Sequence, residues 1–481
     1  MRKNKIIYND FAALADENAT VPAAGSSEYQ SGGELLNSDN RSPINFASFE
    51  GQGINLLDPS LVLAEEGDSL GFVSEGISTG SKAVNIRLII DLAEYSYSAP
   101  GITFYFHQNY CSRVFIEWMK DNSLVDSATA YPNALTYYFD RKVEDFNKII
   151  LTFTQTETAF QFVKLAGIDL GRTRDITKFF GTISVFSEIA PDCADLPGAT
   201  CDFEALLAED FTPQSEQEIY LYSANELMGK FIVDNATPSG NGRYVFECSD
   251  EVMRLDGSPF PELPQGSYSV DELAEKIKSA SNIDIDTADF GEKSLTGFIQ
   301  KDKNSRYAAA MLAFGAGCFI TSSGRKKLSL CKPRNRRKKV IGSNQIIGKA
   351  TYKQKTPYSA IILQTFSNDF DTVADTRAAI NPLRKASDSV GEKLYADYSL
   401  MSDADSRFNE LLETGFFWNE IEADIILKDE KIGDILRIET AHNGIKTGII
   451  KSMDISLSTA ATAHIVIIER DFAMEGVEFD G

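Results

Sequence analysis

Three histidines, His107, His442 and His464, are the only imidazoles in 481 residues, and they lie far apart in the chain. Imidazole is the usual proton shuttle near neutral pH. A Ser/His/Asp or Cys/His triad would have to assemble from turns in different domains, and none is expected. Asp284, Asp286 and Asp289 have the alternate spacing of a calcium loop but lack its glycine at the sixth position, and Asp403 and Asp405 fail the same test. A glycosidase pair needs only two acids close in space, and no pair is singled out, so solvated surface carboxylates are the plainer reading. The cysteines at 111, 193, 201, 248, 318 and 331 form no C-x-x-C pair and no His-flanked cluster, so a structural zinc site is not expected. Cys193 and Cys201 are close enough in sequence to bridge, with free thiols as the alternative. No catalytic, metal or cofactor residue is assigned.

Two further stretches invite a chemical reading. Gly315-Ala316-Gly317 looks like part of a nucleotide loop, but such glycines follow a strand and precede a helix, whereas these close a predicted helix; a C-cap is expected. Residues 325–339 hold nine cations and no acid: Arg325, Lys326, Lys327, Lys332, Arg334, Arg336, Arg337, Lys338 and Lys339. This segment is the candidate partner-binding element, toward an acidic partner or nucleic acid, with a solvated hairpin tip as the plainer reading. No aromatic residue interrupts it, which weighs against base stacking.

The net charge is −23, and without those nine cations the rest of the chain has 38 basic against 70 acidic residues. Such a surface repels phosphate, so general DNA binding is not expected. The composition is 43% hydrophobic and 24% charged, that of a folded protein, and the length suggests three or four domains. Asn9, Asp10 and Glu17 interrupt the apolar start, so no secretion signal is expected, and residues 307–320 are too short to span a bilayer.

The elements that must position these residues are mostly strands. Residues 1–43 begin with a strand-like KIIY and continue as a polar arm without periodicity. Over 44–172, runs such as NIRLIID and VFIEW alternate as strands with one buried face, which fits two sheets packed face to face. Residues 173–255 read as a β-meander closing into a small barrel. Residues 256–340 carry a helix opened by the capping box Ser269/Glu272. A strand–helix–strand unit over 294–331 follows, its helix capped by Asn304 or Ser305. Strands return over 341–481, with 368–405 expected as a polar surface insertion and Asn443-Gly444 as a two-residue hairpin turn. The fold class is mainly β with a smaller α/β part.

Two resemblances follow from this order. GITFYF, SRVFIEWMKDNSLVDS and YYFDRKVEDFNKIILTFTQTETAFQFVKLAGIDLG resemble the galactose-binding-like jelly roll of tail proteins from phages of Gram-positive bacteria. That resemblance implies a candidate glycan loop of His107, Asp121 and Asn122. In the second half, SLTGFIQKDKNSRYAAAMLAFGAGCFITSSGRKKLSL and GDILRIETAHNGIKTGIIKSMDISLSTAATAHIVII resemble the phage tail-tip hubs related to the late control protein family. This implies two small β-barrels flanking a helix-containing domain, a homo-oligomer (a trimer), and partners among tail tube, distal tail and tape-measure proteins, with host surface glycan as a further partner. It implies a virion protein rather than an enzyme.

Overall fold

The computed structural model describes residues 4–12, 15, 19, 72–92, 95–107, 109–176, 179–190, 195–207, 211–287, 290–354, 358–366, 373–380, 393–415, 419–458 and 460–469. Cys193, Asp289 and most of the expected N-terminal arm lie outside these. The chain divides into two compact units, one of residues 7–175 with 213–218 and the other of residues 1–6, 176–212 and 219–481.

The smaller unit is a β-sandwich. One antiparallel sheet has the order Phe72–Ile77, Phe162–Asp169, Tyr97–Phe106, Thr136–Phe146; the other has the order Ala83–Asp91, Lys148–Thr156, Cys111–Lys120, Ser123–Ala130. The alternation seen in the sequence sets the burial. Val114, Ile116 and Trp118 face a core containing Phe104, Phe146 and Leu151, while Phe115 points out. Phe72 and Phe153 stack at 6.4 Å between the two sheets. Residues 143–146 end the strand Thr136–Phe146. The start of the expected arm is also a strand, Asn4–Phe11, paired with Gly171–Ile176. Tyr8 is fully buried there and donates a hydrogen bond to Gln217.

In the larger unit a single sheet runs in the order Glu218–Ser223, Glu226–Gly240, Arg243–Ser249, Thr200–Leu206, Phe179–Glu188, Gly444–Leu457, Ala461–Glu469, Glu420–Ile426, Ile346–Lys353. Asp434–Thr440 pairs with Gly444–Leu457 on one side and lies parallel to Arg334–Ile341 on the other. The Ala441 N–H donates to the Ala350 carbonyl at 3.3 Å, which curls the later strands toward closure. The strands expected in two barrels are therefore hydrogen-bonded into one sheet through the register Ile183↔Leu457 to Glu188↔Ser452. The hairpin after Thr440 has three loop residues rather than two, because Thr440 pairs with Gly444 itself, at φ 70°.

Three α-helices occur among the described residues. Helix α1 (Val270–Ser281) opens as the capping box predicts, with the Glu272 N–H donating to Ser269 Oγ at 3.1 Å. Helix α2 (Ser305–Ala316) is capped by Asn304, whose Oδ1 accepts from the Tyr307 N–H at 2.9 Å, and closes on Gly317 in the left-handed region as expected. Its nine residues 308–316 are all buried, so the apolar surface extends around the whole helix. The expected insertion 368–405 is a correction. Val373–Ile380, Ala360–Phe366 and Lys393–Tyr398 form a sheet of their own, covered by helix α3 (Ala404–Gly415). Ile361, Leu363, Leu394, Ala396, Tyr398 and Leu411 pack there with Phe314 of α2. The polar sequence misled because only every second strand residue is buried, and the half-exposed pattern of residues 393–398 reads as polar overall.

Two glycines fix how these parts meet. The short strand Leu400–Met401 pairs with Ser294–Ile299 and passes close to α2. A Cβ on Gly297 (φ 150°) would stand 1.7 Å from the Ser399 carbonyl oxygen, and one on Gly315 would stand 2.4 Å from the Leu400 oxygen. Gly315 thus permits a close backbone approach, and the C-cap role belongs to Gly317. Gly297→Ala combines steric overlap with a disfavoured backbone conformation and should destabilise the larger unit by roughly 2–4 kcal/mol in urea unfolding. Gly257→Ala, with nothing within 4 Å of its Cβ, should be near neutral.

Candidate partner-binding groove

The basic segment is not a loose tip. Residues 322–327 turn between the strands Phe319–Thr321 and Leu328–Cys331, and Arg334–Ile341 is a strand of the main sheet. Its parallel register sets Arg334 opposite Asp434, and the guanidinium makes a two-pronged contact at 2.6 and 2.8 Å with this almost fully buried carboxylate. Arg336 reaches Asp429 and also Asp434, at 3.5 Å from the latter, while Lys339 reaches both Asp429 and Glu430. The Lys339 and Arg336 side chains hold the Asp429 carboxyl well below the usual carboxylate range. Lys327 pairs with Asp284 at 2.5 Å and Arg325 with Asp286 at 3.9 Å. Lys326 lies over the Tyr220 ring and Lys332 over Phe290, Arg337 donates to Asn335, and Lys338 is exposed. Five of the nine cations thus face carboxylates of their own chain. Asp284 and Asp286, weighed above for calcium, serve as counterions.

Beside this segment lies a groove of about 810 Å³. Its apolar surface comes from Phe290, Phe319, Leu330 and Ile432, and its cations are Lys293, Arg325, Lys332, Arg334 and Lys431. Among the described residues no carboxylate forms an ion pair with Lys293, Lys332 or Lys431; Lys293 Nζ instead donates to the Ala316 carbonyl at 2.7 Å. Sequence reasoning missed Lys293 and Lys431, which stand before the strands Ser294–Ile299 and Asp434–Thr440 and reach the groove only through the fold. Cys331 lines the groove with Cys318 nearby, and burial raises both thiols, Cys318 to about 11. At neutral pH they are thiols rather than nucleophilic thiolates.

The glycan-loop residues are not brought together. His107 is 3% exposed and lies just before the strand Cys111–Lys120, whereas Asp121 and Asn122 form the turn at that strand's other end. Both turn residues have positive φ. Asp121 is tied to Asn147 through the Asp121 N–H at 3.1 Å and its own Oδ1 at 2.9 Å, and Lys148 donates to Asn122 at 3.2 Å. His442 is exposed on a hairpin loop, and His464 contacts Asp424 across paired strands at 2.8 Å. Among the described residues no group of His, Cys, Asp or Glu is placed to hold a metal ion, and no helix is long and apolar enough to cross a membrane. Asp403 caps α3, accepting from the N–H groups of Asp405 and Ser406.

The turn that carries Arg325 is anchored by Ser322, which donates to the buried carboxyl of Asp250 at 2.8 Å. Burial raises the Asp250 pKa to about 6. Because the folded value lies above the unfolded one, this group's favourable contribution is complete below about pH 4 and is lost as pH rises through about 6. Asp250→Asn keeps an acceptor and removes the charge. Its stability relative to the parent, measured by urea unfolding, should therefore improve between pH 4 and pH 7.5, by about 2–3 kcal/mol; a pH-independent difference would contradict the assignment.

No family model matches the chain, and no curated protein matches it. Among solved structures, it is similar to the tail protein from Neisseria meningitidis MC58 (10% identity, 62% of this chain and 94% of that chain, TM-score 0.44). It is also similar to prophage tail protein gp18 from Listeria monocytogenes EGD-e (11% identity, 63% and 93% of the two chains, TM-score 0.45). A further similarity is to the family 32 CBM from C. perfringens NanJ, solved in complex with galactose (16% identity, 33% and 96%, TM-score 0.21).

Proposed function

We propose that this chain is a structural protein of a phage-type virion, a tail-tip or baseplate hub that connects the tail tube to the host-recognition apparatus. The observation that carries this reading is the single curled sheet running from Glu218–Ser223 to Ile346–Lys353, with a helix-bearing α/β part inserted between its early and late strands. The order of elements is the one that the hub resemblance implies. A sheet of this kind offers continuous outer walls for neighbouring subunits, and heterologous contacts between copies close into a ring. In this reading the sandwich is an added module, and the chain works by assembly rather than turnover, in a homotrimer that meets tube, distal tail and tape-measure proteins.

The alternative, adsorption to host glycan through the sandwich, draws less support. Asp121 and Asn122 are engaged with Asn147 and Lys148, and His107 is buried away from them. The test is light scattering on the full-length chain together with labelling of particles by an antibody against it. The hub reading expects a trimer and label at one end of the tail; a monomer absent from particles would overturn it.

A further inference from the structure

We infer that the groove beside Leu328–Cys331 is a docking site for a short acidic segment of a partner protein, one that alternates carboxylates with apolar side chains. The inference stands on the groove itself and holds whether or not the chain belongs to a tail.

The first argument is charge. The protein carries −23, and most of the basic segment is neutralised internally by Asp284, Asp286, Asp429, Glu430 and Asp434. Lys332 of the segment is joined by Lys293 and Lys431 from outside it, and the three converge on one groove from three separate parts of the chain. Ammonium groups with no carboxylate partner among the described residues, on an acidic protein, make a local attractive field, which screening confines to about 8 Å at physiological ionic strength. A few carboxylates entering the groove feel that field. A long polyanion would also meet the acidic remainder of the surface.

The second argument is the apolar part of the lining. Phe319, Leu330, Ile432 and Pro333 give the groove a surface that a phosphate ion leaves uncovered and a peptide's apolar side chains can occupy. The Phe290 ring is covered by the Lys332 ammonium at 5.5 Å, so that face is closed to a stacking base. The Arg334 fork, the group best shaped for phosphate, is already engaged by Asp434. What is left is lysine point charges around an apolar trough, which suits carboxylates spaced along a peptide.

The test uses the full-length chain and three fluorescein-labelled probes: a heptapeptide alternating glutamate and phenylalanine, the same peptide with glutamine for glutamate, and a single-stranded oligothymidylate. Fluorescence anisotropy at low salt should show the acidic peptide binding and the glutamine peptide not. The double variant K332E/K431E should weaken the acidic peptide by at least roughly tenfold. The milder K332Q/K431Q should weaken it in the same direction, and circular dichroism checks that both remain folded. K338E, a reversal at an exposed lysine outside the groove, should leave binding unchanged. Equal binding of the two peptides, an equal loss with K338E, or tighter binding of the oligonucleotide would overturn the proposal.

Discussion

The ladder between Phe179–Glu188 and Gly444–Leu457 is the contact on which the larger unit depends. The residues it joins are about 270 apart in sequence, so its formation closes a very long loop. The entropy of that closure grows only slowly with length and is offset by the backbone hydrogen bonds and the burial of Ile183, Val185, Ile455 and Leu457. Once the ladder exists, the early strand group and the late one are a single sheet. Much of what lies between them, residues 253–331 and then 360–415, is inserted between strands of that sheet, to which Arg334–Ile341 and Ile346–Lys353 also belong. These inserted stretches carry three small sheets of their own.

Charge is handled by a related economy. The cations of residues 334–339 sit on a strand whose parallel neighbour begins at Asp434, and the loop preceding that neighbour brings Asp429 and Glu430 alongside. A run that would repel itself in an unfolded chain becomes a cross-linked corner in the folded one. Asp434 is nearly inaccessible, so its attraction for Arg334 is less screened than a surface pair, though the half-exposed guanidinium limits the gain. The turn carrying Arg325 is held from behind by Asp250, which anchors that side of the groove.

The sequence disclosed these features unevenly, for physical reasons. Period-two burial in NIRLIID and VFIEW, the capping box at Ser269 and the Asn304 cap are local signals, and local signals survive without coordinates. The strand group to which Ala360–Phe366 belongs was not legible: an apolar run says that a strand is buried but not which partner it takes, and this strand pairs within the α/β part rather than the second barrel. Helix α3 has apolar residues Phe408, Leu411 and Leu412 at helical spacing and an Asp403 cap, signals masked by the polar stretch before it. The groove was half visible. Its cations on the basic segment were plain, but Lys293 and Lys431 are ordinary surface lysines until pairing at the two ends of the unit brings them together.

The claim that the early and late strands form one cooperative sheet is tested most directly by native-state hydrogen exchange. The amides of residues 183–188 and 452–457 should share a single slow exchange class with those of 200–206 and 461–469, all opening in the same global event. Rapid exchange across 183–188 and 452–457 while both flanking groups stay protected would mean two independent bodies, and would contradict the account.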